Sequence, residues 1–279
     1  MSVRRALVLG GGGVAGIAWE NGVIAGLADA GVDVTGADLL VGTSAGSNVA
    51  VQIAAGLTPE ELFRRQTESE LQSHELVPDG DPLAALHETL TAMNEETEGD
   101  PAELRRRLGA LALATPTVSE PERRAVIESR LPVREWPDRR VLIPVVEAVT
   151  GEPRVFDRDS GVPVVTAVAA SSAVPGVWPP VTIDGIRYVD GGVRSGCNAD
   201  YARGYDRVLI LAPMPDPELE RQVADLTGAG SRVEIIVLDE TSWAAAGDNP
   251  LDPATRVPVA QAGRTQGKAE SARIAALWL

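Results

Sequence analysis

Histidine is nearly missing from this chain. Among 279 residues there are two, His74 and His87, and none follows position 87. A catalytic serine in α/β-hydrolase order is followed by its acid and then its histidine, usually well toward the C-terminus, so that arrangement is close to excluded. Cysteine is scarcer still: Cys197 alone excludes an internal disulfide and suits a reducing compartment. Aromatic residues make up 4%, so aliphatic side chains must fill the core that a 44% hydrophobic content provides. Positive charge is short as well. Lys and Arg total 25 against 40 Asp and Glu, a net charge of −15 that repels phosphate backbones and anionic membrane surfaces. Nucleic acid is therefore not an expected partner, and the spread of the acids along the chain fits plain solubility. No stretch of about 18 apolar residues exists to span a bilayer, which leaves at most transient membrane contact. Arg4 and Arg5 precede only ALVL before glycine intervenes, too short a run for a signal-peptide core. A cytoplasmic location is expected. No Cys/His cluster has metal-ligand spacing, and neither a metal nor a cofactor is expected.

What is present alternates short apolar runs with helical stretches. That pattern predicts an α/β fold of three layers, α/β/α, around a mainly parallel central sheet. RRALVL, DLLV, RRVLIPVVEAVT and EPRVFD read as strands, and DRVLILAP and RVEIIVLDE as two more buried ones. VTIDGIRYVDGG reads as a hairpin turning at Asp184-Gly185. Helices are expected at IAWENGVIAGLADAG, SNVAVQIAAG, PVVTAVAASSAV and from about Pro253 to Trp278. Residues 57 to about 135 differ in character. Helix starts are legible there at Thr58-Pro59-Glu60-Glu61, Asp81-Pro82, Asp100-Pro101 with Glu103, and Ser119 with Glu122. No strand-like run interrupts them, so this segment reads as a helical insertion. It is either a lid or side wall, or a purely structural layer. With no internal repeat, one domain over residues 1–279 is the simplest organisation.

Three glycine-rich sites carry the chemistry. The first is the run Gly10 to Gly13, followed by Gly16. Gly11, Gly13 and Gly16 satisfy the dinucleotide fingerprint by letter, but that reading wants an acid closing the second strand. The second strand runs into GTSAG instead, and neither Asp29 nor Asp33 closes an apolar strand. The same glycines can converge backbone N–H groups at a helix start, where an oxyanion formed by attack on an ester carbonyl would be held. The second site, GTSAG, places Ser44 between strand and helix, with Gly42 and Gly46 permitting the strained backbone an exposed nucleophile needs. Helix capping by Ser44 or Ser47 is the plainer alternative. His74 or His87 could swing in from a lid, but both sit among polar helix residues and read as surface or packing groups, so the base is sought elsewhere. The third site, YVDGG, offers Asp190 at a strand end. A carboxylate can take the serine proton when burial lifts its pKa toward working pH. Glu147, Asp157 and Asp184 are other candidates, and Asp190 could also be an ordinary turn residue.

GGGG-V-A-G after the first strand, GTSAG after the second and DGG far downstream together resemble the patatin-like phospholipase family. So does the stretch ASSAVPGVWPPVTIDGIRYVDGG. The likeness covers roughly residues 1–56 and 163–213, and the insertion has no matching motif. The resemblance implies a patatin-like fold and an enzyme that cleaves carboxylic esters of acyl lipids through a Ser-Asp dyad without histidine or cofactor. Ser44 would be the nucleophile, Asp190 the base, and Gly11, Gly12 and Gly13 the oxyanion loop. The insertion and the Trp178-Pro179-Pro180 loop are candidate walls of an apolar trench, although Trp178 can equally be a packing residue. One departure stands out: Val14 and Ala15 occupy places where many relatives carry a basic residue. This points away from phospholipids and toward neutral acyl esters. It also leaves open an acyl-lipid-binding protein with little or no turnover, beside a dinucleotide-binding oxidoreductase. The natural lipid, the positional preference and the oligomeric state have no signature in the sequence.

Overall fold

The computed structural model of the chain describes residues 3–78, 80, 82–97 and 99–279. The expected cap at Asp81 and the side chain of His87 lie outside the described residues. Eight strands form one sheet: β1 (Arg5–Leu9), β2 (Leu39–Gly42), β3 (Val141–Glu147), β4 (Pro153–Phe156), β5 (Val181–Ile183), β6 (Ile186–Asp190), β7 (Arg207–Ala212) and β8 (Arg232–Val237). Their order is β5-β6-β3-β2-β1-β7-β8, with β4 also paired to β3. The five strands from β3 to β8 in that order run parallel, and β4, β5 and β6 pair antiparallel.

The helices are α1 (Gly13–Asp29), α2 (Ala45–Ala54), α3 (Pro59–Thr67), α4 (Pro82–Glu96), α5 (Pro101–Ala114), α6 (Glu120–Arg130), α7 (Val164–Ser171), α8 (Leu219–Gly228), α9 (Glu240–Ala246) and α10 (Arg256–Trp278). They cover both faces of the sheet. Leu7 and Leu9 of β1 enter one apolar cluster, with Ile24, Leu40 and Leu209. Ala6 and Val8 enter the other, with Val41, Val208 and Ile210. Burial on both faces explains why the central strands read as continuous apolar runs rather than alternating ones.

Local chemistry sets most element boundaries. Thr58 with Glu61 and Ser119 with Glu122 form reciprocal capping boxes, and the Asp100 side chain accepts from the Ala102 and Glu103 N–H groups. Asp184 and Gly185 both have positive φ, at 50° and 80°, as a type I′ hairpin turn requires. Three expectations need correction. α1 starts at Gly13 rather than near Ile17, so the glycine run supplies its first turn. α8 and α9 had no place in the sequence reading. β8 is not a buried strand: it pairs only with β7, lies at the sheet edge, and leaves Val237 more than half exposed.

Glycines also fix how α1 sits. A Cβ on Gly22 or Gly26 would lie 2.2 or 2.1 Å from backbone oxygens of α10, and one on Gly267 would lie 2.3 Å from Val23 O. The two helices therefore touch backbone to backbone, which holds the N-terminus of α1 in place above β1. Register brings Leu9 level with Gly42 and with Leu211. The carboxyl ends of β1, β2 and β7 thus open at one height, where the strand order switches direction. Parallel α/β sheets bind their ligands at such points.

Candidate active site

Ser44 occupies the sharp turn between β2 and α2. Its φ of 52° and ψ of −112° are strained for a residue with a side chain. Neighbouring atoms enforce the turn. The Ser44 N–H donates to Ser171 Oγ at 3.0 Å, and its carbonyl accepts from Ser47 Oγ at 2.6 Å and Asn48 Nδ2 at 3.1 Å. A Cβ on Gly42 would meet Gly46 O at 2.5 Å, and one on Gly46 would meet Leu9 O at 2.2 Å. The glycines of GTSAG are required by this crowding. Ser44 makes no side-chain cap on α2, and Ser47 bonds a carbonyl instead, so the capping alternative fails for both serines.

Asp190 ends β6 and is placed by its backbone N–H, which donates to Ala173 O at 3.0 Å. Gly191 follows because a Cβ there would lie 2.3 Å from Pro144 O. The carboxyl is 4% exposed. Its Oδ1 accepts from the Gly192 N–H at 2.7 Å, while Oδ2 is buried without a hydrogen bond of normal geometry. Burial pushes the carboxyl up to about 7, against the smaller opposing effects of the Gly192 N–H, the Ser44 hydroxyl and the Arg123 charge. The Ser44 hydroxyl therefore lies near enough to act on the carboxyl.

Asn198 joins the two loops. In a left-handed conformation, its Nδ2 donates to Thr43 Oγ1 at 3.1 Å and to Gly191 O at 3.2 Å. Gly11 lies against this pair, with the position of its absent Cβ 3.4 Å from Ser44 Cβ. The glycine loop needs one revision as an anion cradle. The Gly11 N–H donates to Gly196 O at 2.9 Å, so it is committed, and Gly11 contributes space. The N–H groups of Gly12, Gly13 and Val14 have no acceptor among the described residues, and they begin α1, where the helix dipole is positive.

A cleft of about 350 Å³, solvent at its mouth included, opens beside Ser44. Gly13, Val14, Ala45 and Ser172 line it, together with the apolar side chains of Leu76, Val174, Trp178 and Leu251. Glu75, Arg123 and Arg130 complete it, so residues of the 57–135 segment supply one wall. Glu75 is buried and binds both Arg130, at 2.5 Å, and Arg256. Burial works against its charge, but the two guanidiniums hold the carboxyl below its ordinary range. The sequence reading missed all four of these charged residues, which come from α6, α10 and the loop that carries Glu75. Trp178 lines the cleft and packs with Val177 and Leu251, so it serves both roles foreseen for it.

The other candidates fall outside the site. Asp184 is exposed, Glu147 and Asp157 are half-buried, and none of the three lines the cleft. His74 is exposed and bonds to neither Ser44 nor Asp190 among the described residues. Asp29 closes α1 at the end opposite the glycine loop, about 24 Å away at 1.5 Å per residue, and is paired with Arg264 and Lys268. Neither a cluster of metal-binding side chains nor a helix able to cross a membrane occurs among the described residues.

Among solved structures, the chain is similar to VipD from Legionella pneumophila at 12% identity and a TM-score of 0.46, and to the type III effector protein ExoU at 15% and 0.44. Each alignment covers 97% of this chain, which spans 67% of VipD and 53% of ExoU. No curated protein matches it. Residues 7–203 match the family model described as patatin-like phospholipase. That span is well over half the chain and includes both glycine-rich loops and the aspartate turn. The chain belongs to the patatin-like phospholipase family.

Proposed function

We propose that this protein is a lipid acyl hydrolase that cleaves carboxylic esters with Ser44 as nucleophile and Asp190 as base. Family membership supports a lipid hydrolase in general. The finer reading rests on one observation: a strained serine with a hydroxyl unused in capping lies close enough to act on the buried Asp190 carboxyl, one oxygen of which has no hydrogen-bond partner. As the Ser44 Oγ attacks the ester carbonyl, Asp190 takes its proton, and the oxyanion is held by the free N–H groups of Gly12, Gly13 and Val14. Asp190 then returns the proton to the leaving alcohol, and an acyl-enzyme remains. Water attacks the acyl-enzyme, giving its proton to Asp190. Collapse releases the fatty acid and restores the Ser44 hydroxyl with that proton. No step calls on a cofactor.

Residues 1–279 are read as one patatin-like domain, with the 57–135 segment as a wall of the cleft. The buried ties of Glu75 to Arg130 and Arg256 favour a fixed wall over a swinging lid. A cytoplasmic location follows from the reading of the sequence. The test is labelling by a fluorophosphonate probe, in wild type and in Ser44→Ala. Labelling should vanish in the variant, and labelling that persists would remove Ser44 from its role. Turnover of p-nitrophenyl esters should fall at least 100-fold in Asp190→Asn; undiminished turnover would remove the base.

A further inference from the structure

The cleft holds a cation that forms no ion pair with any acid among the described residues. Arg123, on α6, is 6% exposed, and its guanidinium lies 3.9 Å from the centre of the Trp178 ring. It donates no hydrogen bond to any described residue, and its Nε and Nη1 are buried without an acceptor. Buried charges are normally paired, because an ion that leaves the solvent gives up its hydration. Glu75 favours its charge through space but accepts no hydrogen bond from Nε or Nη1 of Arg123, since its two oxygens are taken up by Arg130 and Arg256. Three guanidiniums thus gather around one carboxylate, in a protein whose net charge is −15. Burial, with repulsion from Arg130, pushes Arg123 down to about 9, so it still carries its charge at neutral pH. Its field also reaches Asp190, which places it at the reacting end of the cleft.

We infer that Arg123 is a specificity-determining residue which binds an oxyanion group, phosphate or carboxylate, carried by the acyl ester. This rests on the hydrolase reading and sharpens it. The expectation of neutral esters came from Val14 and Ala15, and the structure brings a cation to the cleft from a helix far along the chain. The planar fork fits an oxyanion at two points, and the Trp178 ring holds that fork in one orientation. The cleft is compact, so the bound charge must lie close to the scissile ester.

The first test needs no turnover. Binding of decyl phosphate, monodecyl succinate, decanol and inorganic phosphate is measured calorimetrically on Ser44→Ala, then on Ser44→Ala with Arg123→Met or Arg123→Lys. Methionine fills the same space against Trp178 without charge, so this variant should fold. At least one anionic ligand should bind tenfold or more tighter than decanol, and which one does names the oxyanion. That preference should vanish with methionine and persist in part with lysine. No preference in the starting protein, a preference that survives Arg123→Met, or inorganic phosphate binding as tightly as decyl phosphate would each overturn the inference. The second test compares turnover of an acylglycerol phosphate with that of its acylglycerol. Arg123→Met should lower the kcat/KM ratio of the two at least tenfold. Equal losses on both substrates would assign Arg123 to packing or to tuning of Asp190. Absent Ser44-dependent turnover would count against the hydrolase reading alone and leave the binding result standing.

Discussion

Asp190→Asn should stabilise the protein, and by more at pH 8 than at pH 5. The carboxyl loses its proton near 3.8 in an unfolded chain and near 7 in the folded one. Between those values the unfolded state binds fewer protons than the native state, so wild-type stability falls as pH rises. Below about pH 4 the group costs nothing. Well above 7 it costs about 4 kcal/mol, at 1.36 kcal/mol for each pH unit between the two values. Roughly 2 kcal/mol of that is lost by pH 5 and another 2 to 3 by pH 8. Asparagine keeps an oxygen for the Gly192 N–H and never ionises. The gap between variant and wild type, read from urea unfolding at pH 5, 6, 7 and 8, should widen by roughly 2 to 3 kcal/mol. Glu20, also buried with its carboxyl raised by burial, is common to both proteins and cancels. A gap that stays constant across this range would mean that Asp190 ionises without penalty, and the argument for its poise as a base would fail.

Three further perturbations test the site. Because the base must be ionised to act, kcat/KM should drop tenfold per pH unit below about 7; a limb near 4 would point to a solvated carboxylate. Gly46→Ala puts a methyl group 2.2 Å from Leu9 O and should cost about 3 kcal/mol while slowing fluorophosphonate labelling at least tenfold. Gly36→Ala, whose Cβ meets nothing within 4 Å, is its control, and equal behaviour of the two would refute the crowding argument. Glu75→Gln leaves Arg130 and Arg256 unpaired and should cost about 3–5 kcal/mol in urea unfolding. A loss below about 1 kcal/mol would mean that the cluster is not a fixed wall.

The sequence was most informative where chemistry is local. A capping hydroxyl and its glutamate lie three residues apart, so Thr58 and Ser119 marked the starts of α3 and α6 without reference to the rest of the fold. Asp184-Gly185 set its hairpin for the same reason. Ser44 and Asp190 are about 150 positions apart, yet each carries a local signature, since glycines flank it to let backbone approach backbone. The scarcity of histidine added a constraint of its own, because a nucleophile without an imidazole needs a carboxyl in poor contact with water. The placement of Asp190 meets that condition.

What the sequence hid depends on side chains that meet only in three dimensions. Arg123, Arg130, Glu75 and Arg256 lie on α6, a loop and α10, and each alone reads as an ordinary charge on a solvated face. Once folded, Glu75 satisfies two of the three guanidiniums and leaves Arg123 over Trp178. The glycine loop shows the same limit. Four consecutive glycines announce a cradle of N–H groups, but only the fold reveals that Gly196 O takes the one from Gly11 and shifts the free donors toward Gly13 and Val14. Charge follows the same logic. A net charge of −15 describes the whole surface and repels anions from afar, whereas the field inside a narrow cleft is set by the few groups that line it. A chain can therefore be acidic throughout and still present a buried arginine without a hydrogen-bonded acid in its cleft.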